Sequence, residues 1–249
     1  MTYSQRGHSE RGASHAPTGY TVKDVTEPSS GATPGKGEQT RRLIVETAIR
    51  LFAENGYEKT TMRAIASAAG LSVGNAYYYF SSKEALVQEF YLELQREHSA
   101  AVEPLLSTGG AFGDQLLGVL ESGMRVWGPH HRFAGKFIGL AAVPGSPVSP
   151  FSAESEESRK ISLDIFQRLV DGTTTKMDPA LRAELPDLLW LLQLGVVVYW
   201  VHDESPGQTK THKIIHRGVP YLEHLVGLSR LKVFRPVTVQ GLALLRMLR

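Results

Sequence analysis

Residues 60–86, TTMRAIASAAGLSVGNAYYYFSSKEAL, contain the pattern of two short helices joined by a turn. Thr61 can cap the first helix, and Gly70 can end it as a left-handed residue. Ser72 is the N-cap candidate of a second helix over residues 73–80. That helix would be about two turns long, which is too short to be stable in water by itself. We therefore expect neighbouring elements to hold it by packing.

A third helix is predicted directly after the second. The sequence Ser-Ser-Lys-Glu at residues 81–84 fits a capping box, in which the Ser81 hydroxyl accepts a hydrogen bond from an early amide and Glu84 reaches back to the cap. Apolar residues then recur at helical spacing to about Ala101, and Pro104 is expected beyond the end of the helix. The short helix is thus expected to be held from both sides.

A short helix after a glycine-containing turn suits the major groove of DNA, which is about 12 Å wide and admits one helix. Gly74 has no side chain to keep the helix away from a base edge. Asn75 carries an amide that can pair with adenine, and Tyr77 and Tyr78 offer hydroxyls to phosphates and bases. The segment therefore predicts contact with double-stranded DNA.

Residues 40–86 resemble the N-terminal domain of the TetR family of transcriptional regulators. The resemblance is carried by motif positions that are spread along the segment: Phe52, Gly56, Tyr57, Thr61, Ile65, Ala66, Ala69, Gly70, Leu71, Ser72, Tyr77, Tyr78, Tyr79, Phe80, Lys83 and Leu86. One departure is a tyrosine before Phe80 where many members have histidine, and this change keeps a hydrogen-bonding group in place.

The resemblance implies an all-α fold, with an N-terminal three-helix helix-turn-helix domain and a larger helical domain for ligand binding and dimerisation. The predicted boundaries are a disordered tail at 1–38, the DNA-binding domain at 39–84 and the effector-binding and dimerisation domain at 85–249. The implied function is a cytoplasmic, homodimeric repressor that a small apolar or amphipathic effector releases from a palindromic operator. The predicted DNA contacts are Arg41, Thr61, Arg63, Ser72, Gly74, Asn75, Tyr77, Tyr78 and Lys83.

Composition agrees with a globular chain of ordinary kind. The chain has 249 residues, 42% of them hydrophobic, and a formal net charge of +2. It contains no cysteine, which excludes a disulfide framework and thiol catalysis. The longest apolar block, residues 188–200, is interrupted by Gln193, so no membrane span is predicted. No cofactor is predicted either.

The first 38 residues are rich in Gly, Ser, Pro and Thr and show no apolar periodicity, so a disordered tail is expected. A DNA-contacting arm is the alternative, but basic and acidic residues balance there, and counterion release needs net positive charge. From Thr40, apolar residues on one face predict a first helix that Asn55 and Gly56 terminate.

The remainder of the chain predicts a helical bundle. Helices are expected from Phe112 to Trp127, around Phe137, from Ser155 to about Asp171, and then in three further segments. Asp178 and Pro179 would start one of these, Pro186 would start the next, and a helix at 208–228 would be kinked by Pro220. A last helix is expected at about 238–248.

Two residue sets in this domain have predicted roles. Large apolar side chains at helical spacing could line an effector pocket, with core packing as the alternative at each position: Met124, Trp127, Phe133, Phe137, Phe166 and Trp190. By the resemblance, the last two long helices would form a four-helix dimer interface through Leu189, Leu192, Val196, Tyr199, Ile215, Val219 and Leu222. The charged residues at 154–160 are expected to be a solvated helix face.

Three competing interpretations are weighed against this one. A regulator of the same fold could lack a small-molecule ligand and respond to a protein partner or to its own abundance. Residues 70–74 match G-x-S-x-G, the nucleophile elbow of hydrolases, but an elbow at Ser72 needs a preceding strand, and residues 64–69 favour helix. His212 and His216 have the i, i+4 spacing of metal ligands, but no acidic residue lies within helical reach to complete a site. No catalytic and no metal-binding residue is therefore predicted.

Overall fold

The computed structural model describes residues 35–231, and in that range every regular element is helical apart from an isolated β-bridge between Gly110 and Thr173. The helices are α1 Lys36–Asn55, α2 Met62–Ala68, α3 Val73–Tyr79, α4 Lys83–Thr108, α5 Phe112–Trp127, α6 His131–Ala141, α7 Glu156–Gly172, α8 Pro179–Val201 and α9 Thr209–Leu228, with 3-10 turns at Gly128–His130 and Pro206–Gln208. The predicted all-α fold class is confirmed. The predicted tail up to residue 34 and the predicted helix at 238–248 lie outside the described residues.

The predicted caps around the turn are confirmed. The Thr61 hydroxyl accepts a hydrogen bond from the Ala64 amide, and the Ser72 hydroxyl accepts one from the Asn75 amide, both at 3.1 Å. Gly70 has φ of 69°, and its amide donates to the Ser67 carbonyl while the next amide donates to the Ala66 carbonyl. This paired closure is a Schellman motif, which requires a left-handed residue and therefore favours glycine.

The start and end of α4 differ from the prediction. Ser82, not Ser81, is the N-cap, and its hydroxyl accepts from the Ala85 amide at 3.2 Å. Glu84 is therefore at N2 and not at the N3 position of a capping box, and its carboxylate accepts a hydrogen bond from the Tyr57 hydroxyl at 2.5 Å. The helix also continues through Pro104 to Thr108. Burial of apolar residues on both sides of Pro104 outweighs the loss of one backbone hydrogen bond.

Two other helix starts are corrected in the same way. Pro186 lies inside α8 and is buried, so it does not begin a helix of its own. The single α8 begins at Pro179 under the cap of Asp178, whose carboxylate accepts from two backbone amides. Helix α1 begins at Lys36 instead of Thr40, so its first turn uses residues that were assigned to the tail. Pro220 lies within α9 as expected.

The buried apolar residues form two clusters that meet at α4 and α6. The first cluster joins α1, α2 and α3 to the start of α4 and to Phe133 and Phe137 of α6. The second cluster joins α5, α7, α8 and α9 to the end of α4. The unit made of α1, α2, α3 and the start of α4 is called the DNA-reading head here for its predicted role, and α6 packs into its core although α6 follows α5 in the chain. A domain boundary at 84/85 remains a prediction.

Candidate nucleic-acid interface and effector cavity

Helix α3 presents most of its surface to solvent. Ala76 is its one buried residue, whereas Tyr77 is 51% exposed and Tyr78 is 83% exposed. Asn75 and Gly74 are also exposed, and the space that a Cβ would occupy at Gly74 is open. A helix that exposes large aromatic side chains, an amide and a glycine on one surface has the shape and chemistry to enter a major groove.

Tyr57 joins the loop between α1 and α2 to the start of α4. The Lys83 ammonium donates to the Tyr57 carbonyl at 2.8 Å and lies 4.2 Å from the centre of the Tyr57 ring. Burial and the hydrogen bond to Glu84 both raise the pKa of Tyr57. Burial raises the pKa of Glu84, but the hydrogen bonds from the Tyr57 hydroxyl, from its own backbone amide and from Ser82 outweigh it, so the pKa of the carboxyl lies below its ordinary value. The start of α4 is thus fixed against the α1–α2 loop.

The structure divides the predicted DNA contacts into two groups. Thr61, Arg63, Ser72, Gly74, Asn75, Tyr77 and Tyr78 are all exposed on the head. The other two predicted contacts are engaged within the subunit. Arg41 forms an ion pair with Glu89 and lies 4.5 Å from the centre of the Phe80 ring, so its guanidinium braces α1 against α4. Lys83 is held by Tyr57. Sequence spacing could not show these pairings, because the partners are 48 and 26 residues away.

A cavity of about 700 Å³ lies between α4, α6, α7 and α8. Four of the six residues predicted for a pocket line it: Trp127, Phe133, Phe137 and Trp190. Met124 and Phe166 do not line it, and both are buried in the second core cluster. Volumes of about 300 to 1,000 Å³ with mostly apolar walls are usual for small-molecule sites.

Several lining residues were missed by the sequence reasoning. They include Phe90, His130, Arg159, Gln193 and Trp200, together with serines of α7. Burial lowers the pKa of His130, which keeps its ring neutral at neutral pH. Arg159 was expected on a solvated face, but it is half-buried and donates to the carbonyls of Pro150 and Ser152 at 2.7 and 3.1 Å. The neighbouring Lys160 does face solvent, where it pairs with Glu156.

The cavity and the DNA-reading head share aromatic side chains. Phe133 stacks on Phe52 of α1 with ring centres 6.3 Å apart, and Phe137 meets Tyr57 edge-on at 5.7 Å. The Lys136 ammonium donates to the Glu54 carbonyl at the end of α1 at 2.9 Å. Helix α6 therefore lines the cavity and also contacts the residues that hold α1 and α4 in place.

The predicted dimer surface is partly wrong. Leu189, Ile215 and Val219 are buried inside the subunit, and Leu192, Val196 and Leu222 are partly buried against its core. Tyr199 is exposed, as predicted. A different face of the two helices carries the exposed apolar side chains, which are Leu191, Val198 and Tyr199 on α8 and Ile214, Tyr221, Leu225 and Leu228 on α9.

The structure bears on the G-x-S-x-G match at residues 70–74 and on the histidine pair His212 and His216. The residues before Ser72 form α2 and its terminal turn, not the strand that a nucleophile elbow requires. Contrary to the sequence expectation, His212 and His216 do have an acidic neighbour, since both rings bond to the Glu121 carboxylate at 2.9 and 3.2 Å. Within residues 35–231 no group of three or more His, Cys, Asp or Glu side chains is arranged to hold a metal ion.

By length and hydropathy α8 is able to cross a membrane, and 44% of its most apolar window is buried within the subunit. Its buried residues pack on α7, and others line the cavity. A core helix of a water-soluble bundle has this same composition.

An exposed short helix behind a Schellman turn, carried on a bundle with its own cavity, defines a helix-turn-helix DNA-binding protein with a ligand-sized site. Comparison with protein families identifies the family to which this chain belongs. The model described as "Bacterial regulatory proteins, tetR family" matches residues 44–90, and the one described as "Tetracyclin repressor-like, C-terminal domain" matches residues 115–239. The chain belongs to the TetR family of bacterial regulatory proteins.

Individual relatives agree with this assignment. The chain is 43% identical over 65 residues to the HTH-type transcriptional repressor KstR2 of Rhodococcus jostii, covering 26% of this chain and 31% of that one. It is 38% identical over 92 residues to the HTH-type transcriptional repressor AcnR of Corynebacterium efficiens, covering 37% and 46% respectively. The matches thus span just under a third and just under a half of these two relatives' lengths.

Solved structures share the fold at low identity. A TetR-family transcriptional regulator from Syntrophomonas wolfei superposes with a TM-score of 0.62 at 16% identity, covering 79% of this chain and all, 100%, of that one. The fatty acid degradation regulator FadR of Bacillus halodurans gives a TM-score of 0.59 at 18% identity, covering 76% and 96%. At such identities the likeness establishes the fold alone.

Proposed function

We propose that this protein is a homodimeric transcriptional repressor that binds a palindromic operator and leaves it when a small molecule enters the cavity. The observation that carries the proposal is the sharing of α6 between the cavity and the DNA-reading head. Phe133 and Phe137 line the cavity and at the same time pack on Phe52 and Tyr57. A ligand that moves these rings therefore acts on the residues that fix α1 and α4.

Release follows from differential affinity. A dimer reads both halves of an operator when its two α3 helices lie about 34 Å apart, one turn of the duplex. A ligand that binds better to a different arrangement of the heads lowers operator affinity by that difference in binding free energy. The stack from Phe137 through Tyr57 to Lys83 and Glu84 is the direct route by which cavity occupancy reaches the helix that follows α3.

The alternative is a regulator without a small-molecule ligand, controlled by a protein partner or by abundance. A cavity of about 700 Å³ supports the ligand-binding function instead, because interiors are close-packed and leave few voids larger than a water molecule. Apolar walls with a few polar groups, in a space of this size, are typical of small-molecule sites.

The second copy is expected on the exposed apolar face of α8 and α9. Leu191, Gly195 and Val198 on α8 recur at spacings of four and three, and so do Ile214, Gly218, Tyr221, Leu225 and Leu228 on α9. The Cβ position is open at both glycines, which permits close approach of a partner helix. Two adjacent stripes of this kind form a four-helix seam with the same pair from another subunit.

The test is selection of duplexes from a random pool by the purified protein. A palindromic consensus is expected. On that sequence Asn75→Ala should cost about 1 to 3 kcal/mol of binding free energy, and on unselected DNA it should cost little, because a base contact is lost and phosphate contacts remain. Failure to enrich any sequence, or an equal loss on both kinds of DNA, would contradict the base-reading role.

A further inference from the structure

The cavity has two chemically different walls. Rings of Trp127, Phe133, Phe137 and Trp190 form much of its apolar side. The other side is a polar strip on α7 at helical spacing, which begins at Ser155 and includes Ser158, Arg159 and Ser162. Among the described residues that line the cavity there is no Asp or Glu, and Arg159 is the one side chain that is charged at every physiological pH.

Arg159 forms no ion pair within the part of the chain that the structure describes, and Glu156, whose charge acts on it at longer range, is paired with Lys160. One guanidinium nitrogen donates to the carbonyls of Pro150 and Ser152, and no carboxylate lies within ion-pair distance of the side chain. The acidic residues of the first turn of α7 are occupied elsewhere, since Glu156 pairs with Lys160 at 2.6 Å and Glu157 pairs with Arg96 at 3.1 Å. Arg159 keeps further N–H donors in its fork, in a geometry that matches a carboxylate.

Two more polar groups in the cavity lack partners. Ser158 is 9% exposed and Gln193 is 3% exposed, and neither side chain has a hydrogen-bond partner among residues 35–231. Both side chains line the cavity, so a polar atom of a ligand can form a hydrogen bond with either of them there. Ser158 is adjacent to Arg159 in the first turns of α7, where the helix dipole also favours negative charge.

We propose that the effector is an amphipathic organic anion, an apolar molecule that carries one carboxylate. Its apolar body lies among the aromatic rings, and its carboxylate binds the free N–H groups of Arg159 beside the Ser158 hydroxyl. The inference rests on the proposed function, because it names the chemistry of the molecule that the cavity takes. A cationic ligand is disfavoured by the same arrangement, since it would meet a positive charge with no acid nearby.

Intrinsic fluorescence is a direct measure of binding, because the chain has three tryptophans and Trp127, Trp190 and Trp200 all line the cavity. The probes are decanoate, decanol and decylammonium, which share one chain length and differ in charge, each used below its aggregation concentration. We expect decanoate to bind at least about tenfold more tightly than the other two, as for a hydrogen bond between charged groups.

Two variants test the assignment to Arg159. Arg159→Gln should remove the preference for decanoate while the affinity for decanol stays unchanged. Lys160→Gln is the matched control, because Lys160 is the neighbouring cation but faces solvent, and it should keep the preference. Equal binding of decanoate and decanol by the unaltered protein would overturn the proposal, as would a preference that survives Arg159→Gln. Loss of both ligands in Arg159→Gln would also overturn it, by assigning Arg159 to holding the 150–152 segment.

A measurement of operator affinity in the presence of each probe tests the proposed release mechanism independently of the proposed ligand class. If decanoate binds in an Arg159-dependent way but operator affinity does not change, the release mechanism fails and the ligand class stands. If none of the three probes changes tryptophan emission in protein that still binds its operator, the cavity is not a site for single-chain amphiphiles and the inference fails.

Discussion

At the scale of single residues, a substitution of Gly74 is expected to change DNA affinity without weakening the fold. It lies in the first turn of α3, and a methyl group added there meets no atom within 4 Å. Gly74→Ala should therefore leave the free energy of unfolding unchanged or raise it by up to about 1 kcal/mol, through helix propensity. Operator affinity should fall, because the methyl group stands where the helix approaches a base edge. Urea unfolding and a mobility-shift titration measure the two quantities.

Gly135→Ala is the matched control for that experiment. Gly135 is an exposed helical glycine on α6 whose Cβ position is also open, and it does not line the cavity. This variant should gain stability without any change in operator affinity. Undiminished operator binding by Gly74→Ala would mean that α3 does not approach the bases at this position.

Arg63 is the residue whose charge is available to a phosphate. It is exposed on α2 and has no ion-pair partner within residues 35–231. Arg63→Ala should weaken binding to all DNA sequences and flatten the plot of log affinity against log salt by about one unit, because one fewer counterion is released. Arg168→Ala, which removes an arginine paired with Glu103 on the C-terminal part of the chain, should leave the slope unchanged.

Lys83 is another basic residue among the predicted DNA contacts, but its replacement would give a less direct measurement. The structure assigns its ammonium to the Tyr57 carbonyl and ring instead. Replacing Lys83 therefore also removes a contact that fixes the head, so the salt slope of a Lys83 variant would combine two effects. Arg63 gives the cleaner measurement.

At the scale of elements, the pairing of α4 with α5 contains a buried histidine. His98 is 0% exposed, one ring nitrogen lies 3.0 Å from the Val119 carbonyl, and its ring meets Trp127 edge-on. Burial lowers the pKa of His98, although the bond to Val119 opposes the shift. The folded protein therefore takes up this proton less readily than the unfolded chain.

This difference makes stability depend on pH near neutrality. Stability is fully present above the ordinary histidine pKa of about 6.5 and is lost as the pH falls below it, by up to about 1.4 kcal/mol per pH unit for one such group. His98→Gln should lose less stability between pH 7.5 and 5.5, because glutamine does not titrate and its amide can still donate to Val119. Urea unfolding across this range is the measurement, and an identical pH dependence in both proteins would contradict the assignment.

At the scale of the whole molecule, we propose that two subunits pair through the exposed apolar face of α8 and α9. Val198 is 47% exposed in the centre of that face. In Val198→Glu a charge without a partner would be buried in the interface, at a cost of several kcal/mol. We expect a monomer or an aggregate in sedimentation and loss of binding to the palindromic operator. Val143→Glu is the matched control, since Val143 is 50% exposed on the loop after α6, and it should remain dimeric.

The outcome for Val198→Glu also decides between the two faces. A variant that sediments as a dimer and binds the operator with unchanged affinity would exclude the exposed stripe. The face predicted from the sequence would not then be restored, because Leu189, Ile215 and Val219 are buried in the subunit core.

Local sequence determined the DNA-reading unit almost completely. Thr61, Gly70 and Ser72 act within four residues of themselves, through cap hydrogen bonds and a left-handed turn, so their roles can be read from residue type and spacing. The helical content of the remainder followed from apolar periodicity in the same way. The proline positions in α4 and α8 were misjudged because packing along a long helix outweighs one missing backbone hydrogen bond.

Only the tertiary structure decided which apolar face is core, which is cavity and which is free. The apolar pattern of α8 and α9 does not show which element covers each face. Ile215 is buried because α5 packs on its side of α9, whereas Tyr221 is exposed. Arg159 gave no sequence signal either, because its surroundings come from α4, α6, α8 and the 149–151 loop. Caps and turns depend on neighbours in the chain, whereas burial, cavities and uncompensated charge depend on neighbours in space, and those are set only when the helices pack.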